Sequence, residues 1–146
     1  MNAKAFVGYK TIKNFLSTDS FEEIKNTITN QDFPWRRRDH MAGENDKMYL
    51  QKLEAVAPIE VRANMSISEL YEVSGWHRDY KLKCKSSILY LNSCDGGTEL
   101  KINDETVFIK SEANKMLIFD ADVLHRGITS KKEPIRYIIN FNYFTQ

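Results

Sequence analysis

The sequence predicts a mainly β protein, a double-stranded β-helix (jelly roll) backed by an N-terminal helical layer. Three observations carry that reading. From Ile59 onward apolar residues recur at every second position, the period of a strand with two unlike faces. Turn signals such as Asp95-Gly96-Gly97 and Asn103-Asp104 cut the region into short pieces. Helical periodicity is confined to the first third of the chain, so helix and strands are segregated, which argues for an antiparallel sandwich and against alternating parallel units.

In order, residues 5–9 fit a short strand. Ser20-Phe21-Glu22-Glu23 fits a capping box, and Phe21, Ile24 and Ile28 follow at helical spacing, so a helix is expected over 20–29. Trp35 and the run Arg36, Arg37, Arg38 open a polar stretch that includes His40, and a second helix fits residues 47–56 before Pro58 stops it. Ile59, Val61, Ala63, Met65 and Ile67 alternate with polar residues as one strand, and the pattern does not decide which face lines a pocket. Residues 70–73 and 76–80 read as extended pieces around Gly75, and 81–85 as a basic loop. Strands are expected at 86–92, 98–103, 106–110, 116–119 and 125–128. A polar hairpin loop over 129–134 leads to a long last strand over 135–144. That makes about eight strands after Ile59.

The 146 residues fit one domain, with a helix region at 1–57 and a jelly-roll core at 58–146. With 21 basic and 20 acidic residues, no broad field recruits nucleic acid or an anionic membrane. Neither a signal peptide nor a membrane-length apolar run is present, so a soluble, cytoplasmic protein is expected. Cys84 and Cys94 lack metal-ligand spacing and read as free, packed thiols.

The chemistry concentrates in Gly75-Trp76-His77-Arg78-Asp79-Tyr80. In an extended segment His77 and Asp79 share a face. His125, 48 positions on, completes a set of two histidines and one carboxylate, the set that holds Fe(II) with open positions. Such a pair of residues also arises by chance, so a purely structural role stays open at this point. Arg136 follows His125 by eleven positions. If the two flanking strands form a hairpin, its guanidinium reaches the same cavity and can grip a carboxylate; an outward, solvated Arg136 is the alternative. Period-two counting puts Ile138, Asn140 and Asn142 on the face of Arg136, and Ile88 and Asn92 on that of Tyr90.

Taken with Ile88-Leu89-Tyr90-Leu91-Asn92, Gly96-Gly97-Thr98-Glu99-Leu100, the segment 119–127 and the segment 136–144, this order of motifs resembles the 2-oxoglutarate and Fe(II)-dependent dioxygenases. It is most similar to their small prolyl-4-hydroxylase-like type, found in viral and microbial genomes. The resemblance covers residues 59–144, and the segment 14–35 looks like the helix that precedes the barrel there. It implies that His77, Asp79 and His125 bind Fe(II), and that Arg136 and Tyr90 hold the C5 carboxylate of 2-oxoglutarate, with Asn140 a further pocket residue. The implied activity is hydroxylation of a protein side chain, proline among the candidates, or of a small molecule, with release of succinate and CO2. The loops at 93–97 and 103–105 are too short for large substrate-binding insertions, so Arg36–Arg38, residues 60–68 and the basic loop 81–85 are the candidates for substrate contact. Two alternatives stand beside this: a nucleobase-directed enzyme of the same chemistry, and a non-catalytic jelly-roll binding module.

Overall fold

The computed structural model describes residues 8–33, 58–71, 73–80 and 84–144. The expected helix over 47–56, the arginine run, His40, most of the basic loop and the start of the first strand lie outside the described residues. Among the described residues are eight strands and one α-helix: β1 (Tyr9–Ile12), α1 (Thr18–Thr29), β2 (Pro58–Ile67), β3 (Lys85–Tyr90), β4 (Gly97–Ile102), β5 (Glu105–Lys110), β6 (Lys115–Asp120), β7 (His125–Ile128) and β8 (Ile135–Tyr143). They form a five-stranded sheet of order β1-β6-β3-β8-β2 facing a three-stranded sheet of order β5-β4-β7, with antiparallel pairing throughout. This is the expected jelly roll with its helical layer. Among the described residues no helix is long and apolar enough to cross a membrane.

The middle of the larger sheet is covered on both faces, which is why β3 is buried at every position from Ser86 to Tyr90. Leu89, Met116, Ile139, Phe141, Val61 and Ala63 face the helix side and pack with Phe21, Ile24 and Ile28. On the opposite face Ile88, Tyr90, Leu117, Phe119 and Ile138 meet Leu100 and Ile109 between the sheets. The helix starts earlier than the sequence suggests. Ser17 is its N-cap, accepting a hydrogen bond from the Ser20 amide at 3.3 Å, and the expected capping box at Ser20 lies inside the first turn. Asn103 and Asp104 both have positive φ, 50° and 67°, as a two-residue turn between β4 and β5 requires.

Residues 76–80 form the short extended piece expected there, outside both sheets and attached to β7 by one bridge, His77 to His125. Two further expectations need correction. Part of the extended piece expected at 70–73 is a 3-10 turn at Ser68–Leu70. The loop 129–134 is not a hairpin, because β7 lies beside β4 in the small sheet and β8 lies between β3 and β2 in the large one. The chain crosses from one sheet to the other there. Its midpoint is pinned by Asp95, whose carboxylate accepts hydrogen bonds from Ser130 Oγ (2.5 Å) and the amides of Lys131 (3.1 Å) and Lys132 (3.0 Å). Gly96 makes the approach possible: a Cβ there would sit 2.5 Å from the Ile128 carbonyl oxygen.

Two consequences are measurable. Ile28, fully buried under the sheet, should cost about 2–5 kcal/mol of stability when replaced by Ala, read by denaturant unfolding. The hydrogen bonds from Ser130 and the Lys132 amide hold the Asp95 pKa down at about 2. A lowered folded-state pKa stabilises above the unfolded carboxyl range and loses that contribution as pH falls. The melting temperature of Asp95→Ala should therefore lie below wild type at neutral pH, with the gap narrowing as pH drops from about 4 toward 2.

Candidate active site

His77 and His125 exchange both backbone hydrogen bonds, His77 N to His125 O at 3.0 Å and His125 N to His77 O at 2.9 Å. The Asp79 amide then bonds the Ala121 carbonyl at 3.0 Å, so the segment carrying His77 and Asp79 is laced along the one that leads into His125. The result places ligand atoms from His77, Asp79 and His125 all within 4.8 Å of one another.

Each imidazole is oriented by its own backbone. His77 Nδ1 lies 2.8 Å from the Gly75 carbonyl and His125 Nδ1 lies 2.9 Å from the Val123 carbonyl. A carbonyl only accepts, so Nδ1 carries a proton in both rings, and Nε2 is the nitrogen that can offer a lone pair to a metal once any proton it shares with Asp79 has left. Both Nε2 atoms face one oxygen of Asp79, Oδ1, at 3.7 Å from His77 and 3.2 Å from His125. The other oxygen, Oδ2, accepts from Ser86 Oγ at 2.6 Å and Asn142 Nδ2 at 3.1 Å, and Asn142 also donates to Ser86 at 2.6 Å. Burial alone would raise the Asp79 pKa, but hydrogen bonding and charge from His125, with the bonds from Ser86 and Asn142, outweigh it and hold the carboxyl below its usual range. Two nitrogen lone pairs and one ionised oxygen converge as a divalent first-row metal requires, so the donor set fits Fe(II). The His125 and Asp79 side chains are 5% exposed and that of His77 is 49% exposed.

Beside these residues lies a cavity of about 550 Å³ between the sheets, lined by His77, His125, Ile88, Ile138, Thr98 and Arg136 among others. Arg136 is 6% exposed. Its Nε donates to Ser111 Oγ at 3.0 Å, an Nη lies 3.5 Å from Thr98 Oγ1, and the guanidinium sits 5.7 Å from the Tyr90 ring centre. Among the described residues no acidic side chain pairs with it. Burial lowers its pKa, yet an arginine stays charged, so a cation faces the cavity with only neutral partners.

Tyr90 is fully buried behind this wall, and burial pushes its pKa up to about 12. Its hydroxyl donates to Thr98 Oγ1 at 2.8 Å, and Thr98 is the residue that lines the cavity there. Asn140 also lines the cavity; oriented to satisfy both ends of its amide, it donates to the Ser87 carbonyl at 3.1 Å and accepts from Arg62 at 3.2 Å. Ile88 faces inward as expected, whereas Asn92 is spent on backbone, bonding the Ile135 carbonyl (2.8 Å) and the Tyr137 amide (2.9 Å). Cys84 and Cys94 are free and buried, as expected.

No family model and no curated protein matches the sequence. Solved structures do. A Pseudomonas putida prolyl-4-hydroxylase superposes with a TM-score of 0.67 at 15% identity, over 97% of this chain and 95% of that one. A Trichoplax adhaerens prolyl hydroxylase, solved with a hypoxia inducible factor oxygen degradation domain peptide, gives 0.72 at 15% identity, over 95% and 84%. A non-heme alpha-ketoglutarate-dependent carbocyclase from nogalamycin biosynthesis gives 0.70 at 10% identity, over 93% and 79%. The chain has the fold of the non-heme 2-oxoglutarate-dependent oxygenases. At these identities the likeness is one of fold.

Sequence reasoning did not assign roles to Ser86, Thr98 or Ser111, and it named Arg62 only within the stretch 60–68 expected to contact substrate. Ser86 and Asn142 are directly opposed in the β3–β8 register, so a small polar pair facing inward on adjacent strands was the available signal. Removing the Asn142 amide should free Asp79 to turn. Asn142→Ala is expected to weaken Co(II) or Fe(II) binding by about 10–100-fold, read by metal titration.

Proposed function

We propose that the protein is an Fe(II)- and 2-oxoglutarate-dependent dioxygenase that hydroxylates a protein side chain or a small molecule. The observation that carries this is the buried Arg136, without an acidic partner among the described residues, in the same cavity as the His77, Asp79 and His125 donor set. A buried cation needs a counter-charge, and a carboxylate brought by a co-substrate supplies one.

In this reading His77 Nε2, His125 Nε2 and Asp79 Oδ1 hold the metal. Fe(II) with 2-oxoglutarate supplies dioxygen activation, the net reaction placing one oxygen atom in a C–H bond of the substrate and the other in succinate, with loss of CO2. The chain's own residues do the positioning. Arg136 takes the C5 carboxylate as a charge-assisted pair, while Ser111 and Thr98 fix the direction of the guanidinium. Tyr90, neutral and buried, acts at this end through its hydrogen bond to Thr98. Ser86 and Asn142 keep Asp79 from rotating its ligand oxygen away. Ile88 and Ile138 line the space between, an apolar wall that keeps water from the reacting carbon.

A peptide substrate is supported by the Trichoplax neighbour, which was solved with one. A nucleobase substrate rests on Arg36–Arg38, outside the described residues, and the near-neutral total charge gives it no support.

Anaerobic addition of Fe(II) and 2-oxoglutarate should give a visible charge-transfer band that is lost in His77→Ala and Asp79→Ala. Absence of the band in folded wild type would sink the proposal. Arg136→Ala should weaken 2-oxoglutarate binding by about 10²-fold or more while Fe(II) affinity changes little, since it removes a buried charge partner and no metal ligand. An equal loss of both would show that Arg136 is structural.

A further inference from the structure

The larger sheet presents a polar wall to the cavity that the metal and co-substrate do not use up. Arg62, Asn64 and Ser66 of β2 line it, and each is directly opposed across the β2–β8 ladder by Asn140, Ile138 and Arg136 respectively. Two atoms on this wall are buried and have no hydrogen-bond partner: Arg62 Nε and Ser66 Oγ. Unsatisfied buried donors are rare in native proteins because each carries its desolvation cost unrepaid, so two side chains that line this cavity are held short of full bonding by the protein alone.

The two sites belong to different ligands. Ser66 sits opposite Arg136 and so at the end assigned above to 2-oxoglutarate. Arg62 is four residues away on a strand that rises about 3.3 Å per residue, or about 13 Å along the wall. An extended five-carbon diacid spans about 5 Å between its carboxylate carbons, given C–C bonds of about 1.5 Å. The guanidiniums also diverge. Arg136 turns to Thr98 and Ser111, whereas Arg62 leans toward Glu60, on the side of β2 away from Ser66. One molecule of 2-oxoglutarate does not satisfy both.

Arg62 is held but not spent. Its Nε lies 3.6 Å from Glu60 Oε1, a charge pair too long for a hydrogen bond, and the other oxygen of Glu60 takes the Tyr80 hydroxyl at 2.9 Å. An Nη donates to Asn140 at 3.2 Å. Asn140 is one strand position-pair from Asn142, which touches Asp79, so this guanidinium lies on the metal side of the cavity. A planar fork with unused donors, pre-aimed by Glu60 and Asn140, matches a carboxylate more closely than any neutral group.

We propose that Arg62 is the substrate-recognition residue of this site and binds the carboxylate of a small acid, a free amino acid or its relative. The inference rests on the dioxygenase reading and narrows its substrate class. A substrate so held has its carboxylate on Arg62 and its carbon chain directed along Ile88 toward the metal ligands.

The test uses the whole chain loaded anaerobically with Fe(II) and 2-oxoglutarate. Free L-amino acids, proline included, and the same compounds as carboxamides are titrated in, with binding read by thermal shift and by perturbation of the charge-transfer band. At least one free acid should bind at least about tenfold more tightly than its carboxamide. Arg62→Gln should abolish that preference, and Arg62→Lys, which keeps the charge and guards against misfolding of the first variant, should retain part of it. Affinity for 2-oxoglutarate should stay within about twofold of wild type in both. Equal binding of acid and carboxamide overturns the proposal in favour of a peptide-like substrate. So does failure of every acid to bind to protein that takes up 2-oxoglutarate. A parallel loss of 2-oxoglutarate affinity in Arg62→Gln assigns Arg62 to the co-substrate and overturns it as well. Failure of wild type to bind 2-oxoglutarate at all overturns the functional reading itself, a result distinguishable from the other three.

Discussion

The site depends on the pair of backbone hydrogen bonds exchanged between His77 and His125. Residues 76–80 belong to neither sheet, and their attachment to β7 is what turns two distant histidines and one aspartate into a cluster. The same attachment explains why the donors point as they do. With each Nδ1 committed to a carbonyl two residues earlier in its own chain, the imidazoles have one remaining direction for Nε2, and both directions meet at Asp79. Geometry here is fixed by main chain, and side-chain bonds from β3 and β8 then refine the carboxylate.

The larger sheet couples support to function. Its strands alternate between residues that pack against the helix, such as Leu89, Ile139 and Phe141, and residues that build the cavity, such as Ile88, Ile138 and Arg136. Because the period is two, a slip of one residue in β8 would exchange Arg136 for Ile135 or Tyr137 at the cavity wall. The helix layer therefore does more than cover apolar surface: by burying one face of β8 it specifies which side chains the other face presents. Asp95 contributes from the far end, tying down the crossing that delivers the chain from His125 to Arg136.

Much of this was legible in the residues. Strand periodicity located seven of the eight strands within a residue or two, and the spacing of His77, Asp79, His125 and Arg136 named the groups that converge. What could not be read has physical reasons. A polar loop at 129–134 looks the same whether it turns within a sheet or crosses to another, since the local chemistry of the turn is identical. Ser17 and Ser20 are both competent caps, and the structure starts the helix at Ser17, whose carbonyl takes the Phe21 amide at 2.9 Å. The face of β2 was undecidable because the usual rule inverts there: its apolar side is covered by the helix, and its polar side, which resembles a solvated face, lines an internal cavity. That inversion is why Arg62 could be named only as one of the residues 60–68 and not singled out. Asn140 and Asn142 are likewise equivalent by alternation, and only the β3 register shows that it is Asn142 that reaches the aspartate.

The unequal exposure of the three donors bears on how a metal would come and go. Asp79 and His125 are sealed in, whereas about half of the His77 side chain meets solvent. Ligand exchange proceeds one bond at a time, and the donor that water can reach is the first to be replaced. Release would begin at His77 and leave a two-point clasp from which an external chelator strips the ion. Loading would run in reverse, with His77 closing last. On the proposed reading the centre would be exchangeable with an order of assembly set by exposure, and stopped-flow chelation would show a fast first step sensitive to substitution at His77 and a slower one sensitive to the buried pair.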